Sequence, residues 1–156
     1  MKWHKWLEKW DMTSLKISAP FLEMEWNPSE PDKEAAWDLY IELLTRITTQ
    51  ALAESDGDEK TALESIYSLF PTTRSIIKHY GRGCNEFTKL AVVVLNQKVR
   101  PFTAKWHKGS IENTFGAPEA RKKFRDELQQ LQAVLRTYTA MLAEMAGVED
   151  LTKLEG

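Results

Sequence analysis

The chain has 156 residues and a formal net charge of −2, with 42% hydrophobic and 28% charged residues, which is typical of one globular domain that buries a substantial core. Its only cysteine, Cys84, excludes an intrachain disulfide and a cysteine-based metal site. The first eleven residues are too polar for a secretory signal, and the longest apolar run, 90–95, is too short to span a bilayer. We therefore expect a cytoplasmic protein without stable membrane association.

Residues 1–31 predict an aromatic N-terminal arm. Three tryptophans repeat at helical spacing beside lysines: Trp3, Trp6 and Trp10. Between residues 22 and 26, apolar side chains alternate with glutamates, which is strand-like, so we expect an extended arm over the helical core. We assign the tryptophans to the binding of a larger protein partner, because tryptophan dominates interface hot spots. The alternative is that they pack on the chain's own helices.

Two helical segments follow the arm. The first has Asp32 as a plausible N-cap and an apolar stripe at helical spacing over 37–52, and the residues 56–58 break it. The second restarts or kinks at Pro71, because proline cannot donate to the helical ladder. It ends at the glycine-rich turn 81–83.

The third segment, 87–106, is apolar nearly all round, which favours a central helix. Pro101 bends it. A fourth helix begins at Pro118, ends at Gly147 and carries a heptad seam that could also join two copies of the chain: Phe124, Leu128, Leu131, Leu135, Tyr138, Leu142 and Met145. The pattern predicts one all-α domain, with an antiparallel four-helix bundle over 32–147 and a tail at 148–156.

The charge is unevenly distributed. Residues 11–70 carry a net charge of −9, whereas residues 71–108 carry +7. The basic segment predicts a nucleic-acid-binding surface around Pro101: Lys98, Arg100, Lys105, His107 and Lys108. The alternatives are that acidic and basic helices pack side by side, and that the last cations stabilise a helix C-terminus.

Arg74 and His79 stand five residues apart on a predicted helix. This spacing resembles the RxxxxH motif of the HEPN ribonucleases, in which the two residues pair across a dimer and act on a phosphodiester. The resemblance covers these two positions and the predicted fold class. It implies a catalytic role for Arg74 and His79, whereas an ordinary helix C-terminus explains the same residues without catalysis.

A second resemblance rests on Arg100-Pro101-Phe102 together with Trp106-His107. Uncharacterised all-α bacterial proteins, associated with defence systems, share such an RPFxxxWH element. The histidines lie on separate segments without metal-ligand spacing, so we expect no metal and no cofactor. The sequence therefore predicts a non-catalytic accessory or regulatory subunit that binds a larger protein partner. The alternative is a nucleic-acid-binding protein with HEPN-like ribonuclease activity.

Overall fold

The structure, a computed structural model, describes residues 1–46, 59–111 and 114–154. It is all-α, as predicted, and the described ranges contain no β-strand. The antiparallel topology of a four-helix bundle is not confirmed. The predicted helix break at 56–58 lies outside the described residues. The α-helices, in chain order, are α1 (Trp3–Lys9), α2 (Ala19–Leu22), α3 (Glu30–Leu44), α4 (Glu59–Tyr67), α5 (Leu69–Tyr80), α6 (Asn85–Val94), α7 (Arg100–Ile111) and α8 (Pro118–Ala146).

The core lies where α3 packs along α8. Helix α8 begins at Pro118 and ends at Gly147, whose φ of 73° is the left-handed conformation that glycine adopts without strain. Every residue of the predicted heptad seam is buried within this chain. The apolar stripe is therefore covered within the chain, and the association of two copies through the last helix stays a prediction.

The prediction that Asp32 caps α3 is wrong by three residues. Ser29 is the N-cap, and its hydroxyl accepts the Asp32 backbone N–H at 3.3 Å. Asp32 completes the capping box by accepting the Ser29 N–H at 2.8 Å, and its carboxylate also accepts the Phe87 N–H at 2.9 Å. This buried carboxylate therefore joins the start of α3 to the start of α6.

Two prolines set the breaks that were predicted for them. Pro71 lies in the first turn of α5, which restarts after Ser68. Ahead of Pro101, the helix widens into a π-helical turn over Leu95–Val99, so that α6 and α7 form one long bent helix. The wider turn accommodates the proline ring, which would clash with the carbonyl four residues earlier.

The N-terminal segment is not an extended arm. It contains α1 and α2, and its one strand-like feature within the described residues is an isolated bridge between Lys2 and Glu25. The alternation at 22–26 therefore does not form a strand, since Phe21 and Leu22 belong to α2 and lie against the core.

Candidate functional site

Two of the three arm tryptophans belong to the core. Trp3 and Trp6 are fully buried, and their rings meet edge to face at 5.3 Å. The Trp3 Nε1–H donates to Glu86 Oε1 at 3.1 Å, and the Trp6 Nε1–H donates to Glu144 Oε1 at 2.8 Å. Trp3 and Trp6 are therefore not available as the docking stripe that the sequence predicts, and Trp10 is the one member that keeps part of its surface in solvent.

Residues 16–24 of the arm form a groove of about 490 Å³ against α6. Its lining, which we call the arm groove, is largely apolar: Lys16, Ile17, Ser18, Pro20, Phe21, Met24, Thr88, Lys89, Val92 and Val93. Met24 is 49% exposed and Val92 is 45% exposed. Such a paired exposure of large apolar side chains in a concave site is typical of an interaction surface.

Hydrogen bonds fix the position of one side of the arm groove. The side-chain amide of Gln97 accepts the Lys16 N–H at 2.8 Å and donates to the Lys16 carbonyl at 2.7 Å. Both backbone groups of Lys16 are therefore bound to α6–α7. The Lys98 ammonium donates to Ser14 Oγ at 2.8 Å. The groove is therefore largely formed before a partner arrives, which lowers the ordering cost of binding.

The charged residues that line the arm groove, within the described ranges, have one sign. Lys16 is exposed, and the Lys89 ammonium lies 5.0 Å from the centre of the Phe21 ring. None of the described residues that line the groove carries a carboxylate. The groove is therefore an apolar trough with two cations at its edge.

The cations of the predicted nucleic-acid surface contact three different parts of the chain. Lys98 faces the arm through Ser14, whereas Arg100 lies over the Phe70 ring of α5 at 4.7 Å. Lys105 forms an ion pair with Glu127 of α8 at 2.8 Å. These three cations therefore do not form one basic face, and part of their charge is neutralised. Nucleic-acid binding by this segment stays a prediction, and so does the role of Lys108, which is exposed.

His107 lies at a second groove, of about 560 Å³, between α4 and α7. Its ring stacks on Tyr67 with centroids 6.2 Å apart. Tyr67 is 54% exposed, and Leu63 and Pro71 complete the apolar part of the lining. No sequence signal distinguishes Tyr67, because its position in the apolar stripe of α4 is equally typical of a core residue.

Arg74 and His79 are both exposed on α5. Five residues on a regular helix turn through about 500°, which leaves these two side chains about 140° apart around the axis. The His79 ring packs edge to face on Tyr80 at 4.7 Å. Within one chain, this arrangement does not direct the two side chains at one reacting bond. Their catalytic role stays a prediction.

Tyr80, the neighbour of His79, has a raised pKa. Its hydroxyl donates to Asp38 Oδ2 at 2.8 Å. This hydrogen bond, burial and the negative charges of Asp38 and Glu34 raise the pKa of Tyr80 to about 12. A phenol with such a pKa keeps its proton at neutral pH, so Tyr80 acts here as a link between α5 and α3.

Chemical groups for catalysis by a metal are not assembled in the described part of the chain. No cluster of three or more histidine, cysteine, aspartate or glutamate side chains occurs there with metal-binding geometry. In the same ranges, no helix is both long and apolar enough to cross a membrane. Comparison of the chain with family models, curated proteins and solved structures gives no match.

Sequence reasoning missed the residues that line the arm groove, chiefly Met24 and Val92. The signal for Val92 was present, because a helix that is apolar all round needs cover on every side, and α6 leaves Val92 uncovered. No signal could show Met24 beside it, since the two residues are 68 positions apart and meet only through the fold.

Proposed function

We propose that this protein is a non-catalytic helical accessory subunit that binds a larger protein partner through the arm groove. One observation carries the proposal: Met24 and Val92 remain about half exposed in a preformed apolar trough. The proposal keeps the predicted type of function and moves the contact from the indole stripe to residues 16–24 of the arm and to α6.

The occupant that fits the arm groove is an amphipathic helix with acidic residues beside its apolar face. A helix can bury an i, i+3, i+4 stripe in a trough of this kind. Lys16 and Lys89 stand at the edge, and the described lining offers no carboxylate to repel acidic side chains. Opposite charges at the rim increase the rate of association and select the partner.

Photo-crosslinking in the cells that produce the protein tests this proposal. A photoreactive phenylalanine analogue replaces Val92 in one variant and Leu154, which is 75% exposed and lies outside the groove, in a matched control. We expect a discrete cross-linked species from position 92 alone. The cross-linked segment, identified by mass spectrometry, should combine apolar residues at helical spacing with aspartate or glutamate.

Charge reversal tests whether Lys16 and Lys89 attract an acidic partner. Lys16→Glu combined with Lys89→Glu should lower the cross-linking yield on the order of tenfold, because the acidic partner then meets like charges. The control reverses Lys122 and Lys123, which are exposed on α8. Equal cross-linking from positions 92 and 154, or a cross-linked segment that is basic, would contradict the proposal.

A further inference from the structure

Another exposed apolar surface lies between α3 and α5, separate from the arm groove and from the groove at His107. Trp37 is 40% exposed and Ile41 is 37% exposed, one turn apart on α3. They line a groove of about 590 Å³ together with Pro71 and Ser75 of α5. Trp37 stacks on Tyr40 at 5.9 Å with one side, which leaves the rest of its surface to solvent.

Opposite charges flank this groove. On the α3 side lie Glu34, which is exposed, Asp38, which is partly buried, and Glu42, which pairs with Arg46. On the α5 side the exposed cations are Arg74 and Lys78, and Arg82 follows in the next turn. Within the described ranges, Glu34, Lys78 and Arg82 take part in no ion pair. The two charged edges therefore lie side by side without neutralising each other.

Three contacts define how α3 and α5 are aligned: Arg46 with Thr72, Asp38 with Tyr80, and Ser29 with Gly83. Since α3 residue numbers fall as α5 numbers rise, the two helices run antiparallel. Interpolation between these contacts puts Glu34 close to the height of Arg82. Asp38 is level with Tyr80, its hydrogen-bond partner, about 3 Å along the axis from Lys78. Glu34 thus has a basic counterpart, Arg82, at a similar height across the groove.

We propose that this face binds a second copy of the chain, with a two-fold axis running along the groove. A rotation of 180° about that axis places the acidic edge of each copy over the basic edge of the other and preserves the heights. Glu34 of each copy then meets Arg82 of the other, and Trp37 and Ile41 of the two copies are buried between these charges. A partner of one charge sign would match only one edge, whereas a second copy matches both.

The size of the face sets the expected affinity. Helix α3 has 15 residues and is about 22 Å long, and two adjacent helices are about 20 Å wide. Such a face lies at or below the lower end of stable interfaces, so we expect a dissociation constant of about 10–100 µM. The dimer should therefore form reversibly with concentration.

Sedimentation velocity of the full chain, from about 5 to about 500 µM to bracket that affinity, measures the association. The mass should rise from 18.0 kDa towards twice that value. Glu34→Arg or Arg82→Glu alone should keep the protein monomeric, because like charges then face each other. The two changes together should restore the dimer, since the exchanged charges are again complementary. Lys123→Glu on α8 is the matched control and should dimerise like the wild type.

Truncation of the apolar centre provides an independent measurement. Trp37→Gln combined with Ile41→Gln should abolish the dimer while the helical circular dichroism is retained, because both side chains are already partly exposed. A mass that stays at 18.0 kDa up to the highest concentration would overturn the proposal. So would unchanged association of either single charge variant, or a charge-exchanged protein that remains monomeric.

Discussion

The N-terminal arm and α8 both carry regular apolar repeats, and the sequence suggested an intermolecular use for each. In the structure, the heptad seam of α8 and the first two tryptophans of α1 are all buried in the same core. The spacing identified the buried side of each helix correctly. It did not identify what covers that side, because a stripe has the same period whether its partner is the same chain or another one.

Length explains why the arm cannot be a free docking element. Helix α1 has 7 residues, and α8 has 29. A helix of two turns is not stable in water by itself, so α1 forms only where its apolar side is covered. The carboxylates of Glu86 and Glu144 then satisfy the indole N–H groups of Trp3 and Trp6 inside the protein. The arm is therefore part of the folding unit.

Truncation of one core residue in each region gives the largest expected effect. Trp6→Ala should lower the free energy of unfolding by about 3–5 kcal/mol, and Leu135→Ala in α8 should lower it by about 2–5 kcal/mol, because both leave buried cavities. Chemical denaturation followed by circular dichroism measures both values.

Trp10→Ala is the internal control for that pair. Trp10 is only partly buried, so its truncation should cost clearly less than that of Trp6. A melting point that is unchanged by Trp6→Ala would mean that the arm detaches at no cost, and it would restore the docking interpretation of the indole stripe.

Two glutamates of α8 show how the arm is attached. Glu144 accepts the Trp6 indole N–H at 2.8 Å and pairs with Lys9, so Glu144→Ala should cost about 1–3 kcal/mol by leaving a buried donor unsatisfied. Within the described ranges, Glu127 pairs with the exposed ammonium of Lys105, and Glu127→Ala should cost under about 1 kcal/mol. Equal losses in denaturant unfolding would contradict a specific attachment of the arm at Glu144.

The smallest expected change is at Tyr138, where stability should stay the same or increase. Its hydroxyl is buried in α8 and has no hydrogen-bond partner among the described residues. Tyr138→Phe should therefore leave stability unchanged or raise it by up to about 1 kcal/mol at neutral pH. Tyr40→Phe is the control and should lower stability by about 1 kcal/mol, because the Tyr40 hydroxyl accepts the Leu151 N–H at 2.6 Å.

The unfolding free energies of the wild type and of Tyr138→Phe should diverge at alkaline pH. Burial raises the pKa of Tyr138 above its ordinary value of 10.0, so the folded protein holds a proton that the unfolded chain releases. Stability is fully present below pH 10.0 and falls as the pH rises above it. Wild-type unfolding free energies should therefore decline more steeply there than those of Tyr138→Phe, and parallel declines would show that Tyr138 is not buried.

Local signals in the sequence located several features of the fold. Pro71 and Pro101 marked a helix restart and a bend, and Gly147 marked the end of α8, because these residues restrict or extend the backbone wherever they occur. The candidate sites were not predictable in this way. Met24 with Val92, and Trp37 with Ser75, are far apart in sequence and line common grooves only when the helices pack.

The sequence by itself determined the all-α class, the helix ends set by proline and glycine, and the apolar side of α8, since each depends on residues within a few turns of one helix. The tertiary structure decided the rest. Asp32, which was predicted to cap α3, is a buried residue that links α3 to α6, and Trp3 and Trp6 are buried inside the chain. It also left Val92 and Trp37 uncovered. Burial depends on which helices meet, and the period of a single helix does not contain that information.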